Sequence, residues 1–144
     1  MTDETLHVLA GRYRESLRRA VYLIRSLDAE GELSTGQVST LNIVAEGSVR
    51  VSEIARKAGV RVPSATEQII RLENAGLVKR TQDVKDARAV LVSLTAAGRA
   101  ALEAANHVRN ALLGAGLATL TPAEQDAIAH AIPAMNKLNA AMTG

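Results

Sequence analysis

The chain has 144 residues, 47% of them hydrophobic and 22% charged, which is enough for one globular domain with an aliphatic core, since only Tyr13 and Tyr22 are aromatic. Cysteine is absent, which excludes disulfides, thiolate metal ligands and cysteine nucleophiles. The net charge is only +2, but residues 50–90 carry nine basic and five acidic side chains, so this segment is either a surface for a polyanion or an ordinary solvated face.

Two helices are predicted in the first third of the chain. Apolar residues at three- and four-residue spacing indicate a long amphipathic helix over residues 4–28. Residues 29–33 include Gly31 and should interrupt it. Ser34 is a suitable N-cap for a second helix, which should end near Glu46.

A helix-turn-helix is predicted next. Ser52 should cap a short helix over residues 53–58, and Gly59 should provide the turn that follows. A further helix should begin near Pro63, because proline is tolerated in a first helical turn, and run to about residue 75. Its expected core stripe consists of Ala65, Ile69 and Leu72.

A hairpin and two long helices are predicted to complete the chain. Residues 77–81 and 89–94 are rich in β-branched and aliphatic side chains, and the polar stretch 82–87 between them suits a β-ribbon turn. Thr95 and the pair Thr121-Pro122 should open the fifth and sixth helices. The sequence therefore predicts one domain over residues 1–144, mainly α with a small β-hairpin wing and about six helices.

The order and spacing of several short motifs resemble the multiple-antibiotic-resistance regulator (MarR) family, whose members are winged helix-turn-helix transcriptional regulators. The similarity covers about residues 33–100. The motifs are Val51-Ser52-Glu53-Ile54-Ala55, Gly59-Val60, Pro63-Ser64-Ala65-Thr66, Leu72-Glu73-Asn74-Ala75-Gly76-Leu77-Val78, Lys79-Arg80, Asp86-Ala87-Arg88 and Leu94-Thr95-Ala96-Ala97-Gly98.

The resemblance implies a homodimer that binds double-stranded DNA at a palindromic operator. Residues 1–30 and 100–142 would form the dimerisation helices, and residues 34–95 the DNA-binding lobe. The apolar content of the terminal helices agrees, since it exceeds what one monomer needs to cover its own lobe. The family further implies a small aromatic or phenolic effector, bound between the dimer base and the lobe. Tyr13, Arg14, Leu17 and Tyr22 could line such a crevice or equally belong to the dimer core.

The recognition helix of such a protein would be the one that begins near Pro63. A rotation of about 100° per residue places Pro63, Ser64, Glu67, Ile70 and Arg71 opposite the core stripe. Ser64, Thr66 and Arg71 could contact phosphates or bases, Gln68 could pair with adenine, and Glu67 could accept from cytosine N4. The chain departs from the family here, because relatives often carry basic residues around positions 67 and 68, and because Arg61 replaces the usual Ser or Thr N-cap.

Further candidate DNA contacts lie in the wing. The resemblance implies that Arg88 enters the minor groove and that Asp86 steadies it through a charge-assisted pair. Lys79, Arg80 and Lys85 are candidates for phosphate contacts, as are Arg56 and Lys57 on the supporting helix.

The sequence contains no candidate catalytic residues. His7, His107 and His130 lie on three different predicted helices without metal-ligand spacing, and no serine has a nucleophile motif or a paired histidine. We therefore expect no enzyme activity, no metal and no cofactor. Without an apolar run of membrane-spanning length or a basic leader, a cytoplasmic protein is expected. The alternative to a DNA-binding regulator is a winged-helix module that binds a partner protein.

Overall fold

The structure is a computed structural model that describes residues 1–28 and 31–143. These residues form six helices and three short strands, which confirms the predicted fold class. The elements in chain order are α1 (Asp3–Asp28), α2 (Thr35–Ala45), β1 (Val49–Arg50), α3 (Val51–Ala58), α4 (Val62–Asn74), β2 (Val78–Gln82), β3 (Val90–Leu94), α5 (Ala96–Leu117) and α6 (Pro122–Thr143). Part of the predicted break at residues 29–33 lies outside the described residues.

Local capping explains several of the helix boundaries. The Ser34 hydroxyl accepts from the backbone N–H of Gln37, and the Gln37 side chain accepts from the backbone N–H of Ser34, so α2 begins with the reciprocal capping box. Thr95 caps α5 by accepting from the Gly98 N–H at 3.0 Å. Gly76 follows α4 with a φ of 76°, a left-handed conformation that glycine adopts without steric cost.

One local prediction was wrong, and the sheet has one strand more than the predicted hairpin. Ser52 does not cap α3, because the helix begins one residue earlier, at Val51, and Arg50 occupies the N-cap position without a side-chain cap bond. The predicted hairpin is confirmed, since β2 pairs antiparallel with β3. The two-residue strand β1 pairs antiparallel with β3, with Val49 opposite Val92, so the sheet has the order β1-β3-β2.

Most of the core lies within the winged lobe, which we define as α2 to β3, and Leu102 of α5 packs into it as well. Leu41 of α2, Ile54 of α3, Leu72 of α4 and Val92 of β3 are all completely buried. The predicted core stripe of α4 is confirmed, since Ala65, Ile69 and Leu72 are buried. These side chains fix α4 against α2, α3 and the sheet, so its opposite face is directed outwards.

Helices α1, α5 and α6 lie outside the winged lobe and are here called the helical base. None of the residues described in α6 is buried, and Asp28 is the one buried residue of α1. Among residues 1–28 and 31–143, no helix combines the length and apolar character that a membrane span requires.

Candidate nucleic-acid interface

The outward face of α4 carries the side chains that the sequence assigned to the groove. Pro63, Ser64, Glu67, Ile70 and Arg71 are exposed, as helical projection predicted. Arg61 precedes this helix at the N-cap, where its side chain makes no cap bond and remains exposed. An α4 of this length, buried on one side and free on the other, has the dimensions to enter a major groove.

Two candidates on α4 lie at the edge of this face rather than on it. Thr66 and Gln68 are half-buried. The Gln68 amide packs against Gly36 of α2 so closely that a Cβ on Gly36 would lie 2.9 Å from both amide heteroatoms. Gln68 is thus in contact with α2, and it is less available for pairing with adenine than the exposed residues.

Two of the arginines proposed to contact DNA form ion pairs with acidic side chains. Arg71 Nη2 donates to Glu67 Oε1 at 2.7 Å along the exposed face of α4. Arg80 of β2 makes a bidentate pair with Glu73 of α4, in which Nη2 donates to Oε1 at 2.9 Å and Nε donates to Oε2 at 3.2 Å. The hydrogen bonds from Arg80 hold the pKa of Glu73 below its usual range, so this carboxylate is charged at neutral pH.

The wing loop is shaped by two aspartates. Asp83 Oδ1 accepts from the backbone N–H of Lys85 at 2.9 Å, and Asp86 Oδ1 accepts from that of Arg88 at 3.1 Å. The expected pair of Asp86 with the Arg88 side chain is an ion contact of 3.8 Å, too long for a hydrogen bond. The Arg88 side chain is 96% exposed, so its guanidinium projects freely from the tip of the wing.

The remaining basic candidates differ in how they are held. Lys79 and Lys85 are exposed on the wing. On α3, Arg56 lies 3.7 Å from Glu53 and donates to the Thr143 carbonyl of α6, and Lys57 lies 3.8 Å from Glu46. The two basic residues of α3 are therefore already engaged with neighbouring groups of the protein.

Comparison with known proteins agrees with this arrangement. A model of the MarR family matches residues 33–90. An HTH-type transcriptional regulator of Mycobacterium tuberculosis is 34% identical over 113 residues, which are 78% of this chain and 79% of that protein. The transcriptional repressor MdtR of Bacillus subtilis is 31% identical over 108 residues, which are 75% of this chain and 70% of the repressor. The chain belongs to the MarR family.

A solved structure of similar shape supports the same assignment. The transcriptional regulator BldR from Sulfolobus solfataricus is 27% identical, with a TM-score of 0.75 over 97% of this chain and 99% of that chain. The chain of 144 residues is thus a MarR-family transcriptional regulator with a DNA-binding winged helix-turn-helix. The segment matched by the family contains every residue from Arg61 to Arg88 that the sequence proposed for DNA contact.

Three residues of the winged lobe that form ion pairs were not identified as such from the sequence. Glu73 pairs with Arg80, and Asp83 pairs with Arg50. Both pairs cross from one secondary-structure element to another, so no helical or strand periodicity reports them. The signal that could have indicated Asp83 was its place two residues before Lys85 in a loop, which favours an aspartate-capped turn.

A cavity of about 470 Å³ lies where the helical base meets the winged lobe. Its walls are mostly aliphatic and include Leu27 of α1, Leu33, Val38 of α2 and Val108 of α5, and Asp28 and Arg109 also line it. Tyr13, Arg14, Leu17 and Tyr22 do not line this cavity. Their assignment to such a crevice is not supported within the single chain.

Proposed function

We propose that the protein is a sequence-specific transcriptional repressor that binds a palindromic operator as a homodimer. The observation that carries the proposal is that the winged lobe presents both an exposed face of α4 and, on its wing, the Arg88 side chain, which is 96% exposed. Two such lobes related by a twofold axis would meet successive major grooves about 34–36 Å apart. The similarity to the repressor MdtR favours repression over activation.

Base recognition is assigned to the exposed part of α4. Ser64, Glu67 and Arg71 lie on one face, with Thr66 at its edge, and these side chains offer both donors and acceptors to base edges. Phosphate contacts are assigned to Arg61, Lys79, Lys85 and Arg80. Arg80 must exchange its bidentate bond with Glu73 for a phosphate, so we expect a smaller gain from it than from the two lysines.

A second copy of the chain is the proposed partner of the helical base. Large apolar side chains are exposed along it, among them Val21, Val108, Leu112, Ile128 and Ile132. The chain exposes 10379 Å², whereas a folded monomer of this mass exposes about 7,100 Å². The excess is large enough to supply an obligate homodimer interface, which buries about 1,000–2,500 Å² on each partner.

A small effector is proposed to act through the cavity between base and lobe. Its aliphatic walls and the Arg109 guanidinium would suit an aromatic or phenolic molecule with a polar group. Occupancy would alter the angle between the base and the lobe, and hence the spacing of the two recognition helices, which would relieve repression.

Loss of the wing arginine tests the proposal. We expect Arg88→Ala to weaken operator binding by about 1–3 kcal/mol and to lower the slope of log affinity against log salt by about one. Fluorescence anisotropy with the DNA upstream of the protein's own gene measures both quantities, while light scattering should show a mass twice the chain's 15.2 kDa. The control is Arg99→Ala, which removes an exposed arginine from α5.

Two results would separate the competing functions. Saturable binding of one dimer per site, sensitive to Arg88 and insensitive to Arg99, is the expected outcome. Equal affinity for operator and unrelated DNA, unchanged by the wing substitution, would favour a protein-binding winged-helix module instead.

Glu67 is expected to limit binding to unrelated sequences. Its carboxylate repels phosphates and occupies Arg71, so Glu67→Gln should strengthen binding to unrelated DNA by roughly threefold to tenfold and reduce the preference for the operator. Competition of labelled operator against random DNA measures that preference. The control Glu103→Gln also removes one negative charge, from an exposed position on α5, and should leave the preference for the operator unchanged. A Glu67→Gln variant with undiminished preference would show that Glu67 reads no base.

A further inference from the structure

An ion pair joins the two edges of the wing sheet at its loop end. The central strand β3 lies between β1 and β2. Arg50 of β1 is opposite Leu91 of β3, and Asp83 directly follows β2. Arg50 Nη2 donates to Asp83 Oδ2 at 2.9 Å, so the side chains reach across β3 and connect the outer strands.

Asp83 is also a structural centre of the loop. While Oδ2 accepts from Arg50, Oδ1 accepts from the Lys85 N–H, and the Asp83 backbone N–H donates to the Ala89 carbonyl at 3.0 Å. Its side chain is only 14% exposed. The Lys85 N–H and the Arg50 guanidinium together hold the pKa of Asp83 below its usual range, so the pair persists at neutral pH.

Arg88 depends on the loop for its position. The ion contact to Asp86 is long, and the hydrogen bond that Asp86 accepts comes from the Arg88 backbone rather than its side chain. The guanidinium can therefore reach a fixed point in a groove only if the loop backbone is itself fixed relative to α4.

We propose that the pair of Arg50 with Asp83 is a positioning element for DNA binding, which ties the wing loop to β1 and so sets where Arg88 meets the duplex. Arg50 acts through Asp83 and not through a phosphate contact of its own. The inference rests on the proposed function. It predicts that loss of the Asp83 charge weakens DNA binding. Net charge alone predicts the opposite, because loss of an acidic residue near DNA strengthens binding.

The Asp83→Asn variant isolates the pair. Asparagine retains an oxygen that can accept from Lys85 N–H, but it loses the charge that Arg50 binds. Operator affinity should fall by about three- to tenfold in the native chain and should not fall further in the Arg88→Ala background. Tighter binding by Asp83→Asn, or an equal loss in both backgrounds, would overturn the proposal.

Substitutions of Arg50 test the same coupling from the other side. Arg50→Met should reproduce the loss caused by Asp83→Asn, and Arg50→Lys, which can still approach the carboxylate, should recover part of it. A direct phosphate contact would instead make Arg50→Met equally harmful with and without Arg88. Because the Arg50 side chain is 47% exposed, the pair contributes only modestly to stability, and these variants should remain folded.

A measurement without DNA separates this inference from the proposed function. The ¹⁵N order parameters of Lys85 and Arg88 should fall in both Asp83→Asn and Arg50→Met, while those of Arg80 and Val92 in the sheet stay unchanged. Unchanged loop order parameters would overturn the positioning role even if the native protein binds its operator. Loosened loops in a protein without operator preference would overturn the proposed function and, with it, the DNA role of the pair.

Discussion

Replacing Gly98 by alanine is expected to lower the free energy of unfolding by about 3 kcal/mol or more. A Cβ at this position would lie 1.9 Å from the Leu77 carbonyl oxygen and 2.8 Å from its carbon. These are backbone atoms held in place on both sides, since the Leu77 carbonyl accepts from the Thr95 N–H and the Thr95 hydroxyl donates to the Gly76 carbonyl. Relief of the clash would require α5 to move away from the start of the wing.

Urea unfolding at fixed protein concentration measures this loss. Gly114→Ala is the matched control in the same helix, because no atom lies within 4 Å of the Cβ it would add. Alanine is a better helix former than glycine, so the control should be neutral or more stable by about 0.5–1 kcal/mol. Similar stabilities for the two variants would mean that α5 and the wing do not approach as closely as the structure indicates.

Neutralising Asp28 is expected to cost about 3 kcal/mol of stability at pH 7. This carboxylate is only 7% exposed and accepts two hydrogen bonds from Arg109, one of them from Nε at 2.6 Å. The pair connects the end of α1 to α5 across 81 residues of sequence. Asp28→Asn would leave the Arg109 guanidinium largely buried without a counter-charge.

The effect should depend on pH in a defined direction. Hydrogen bonding from Arg109 lowers the pKa of Asp28 below its ordinary value, although burial opposes this. A lowered pKa in the folded state means that the unfolded state binds more protons in acid. The contribution of Asp28 is therefore complete above its ordinary pKa of about 3.9 and is lost as the pH falls through the lower pKa of the folded state.

Urea unfolding between pH 7 and about pH 2, which extends below the ordinary pKa of an aspartate, tests both statements. The native chain and Asp28→Asn should differ most at neutral pH and converge in acid. Glu15→Gln is the control, because Glu15 forms exposed pairs with Arg18 and Arg19 that should contribute less than about 1 kcal/mol. A constant difference across the pH range would assign the effect of Asp28→Asn to packing rather than to charge.

Much of the fold was predictable because it depends on short-range chemistry. The capping box at Ser34, the cap at Thr95 and the left-handed Gly76 are local signals, and each marks a boundary that the structure confirms. The prediction at Ser52 failed because β1 ends at Arg50 and α3 begins at the next residue, which leaves Arg50 in the N-cap position. A strand of two residues has no periodicity that would reveal β1.

The sequence by itself determined the order of the helices and the buried and exposed faces of α4, because periodicity and capping act over a few residues. The candidate DNA contacts of the wing followed from the resemblance to the MarR family. Only the tertiary structure decided which charges remain available. It paired Arg80 with Glu73, Arg50 with Asp83 and Arg109 with Asp28, and it left Arg88 projecting from the wing. These pairings depend on where separate elements meet in space. The spacing of residues along the chain does not indicate which elements will meet.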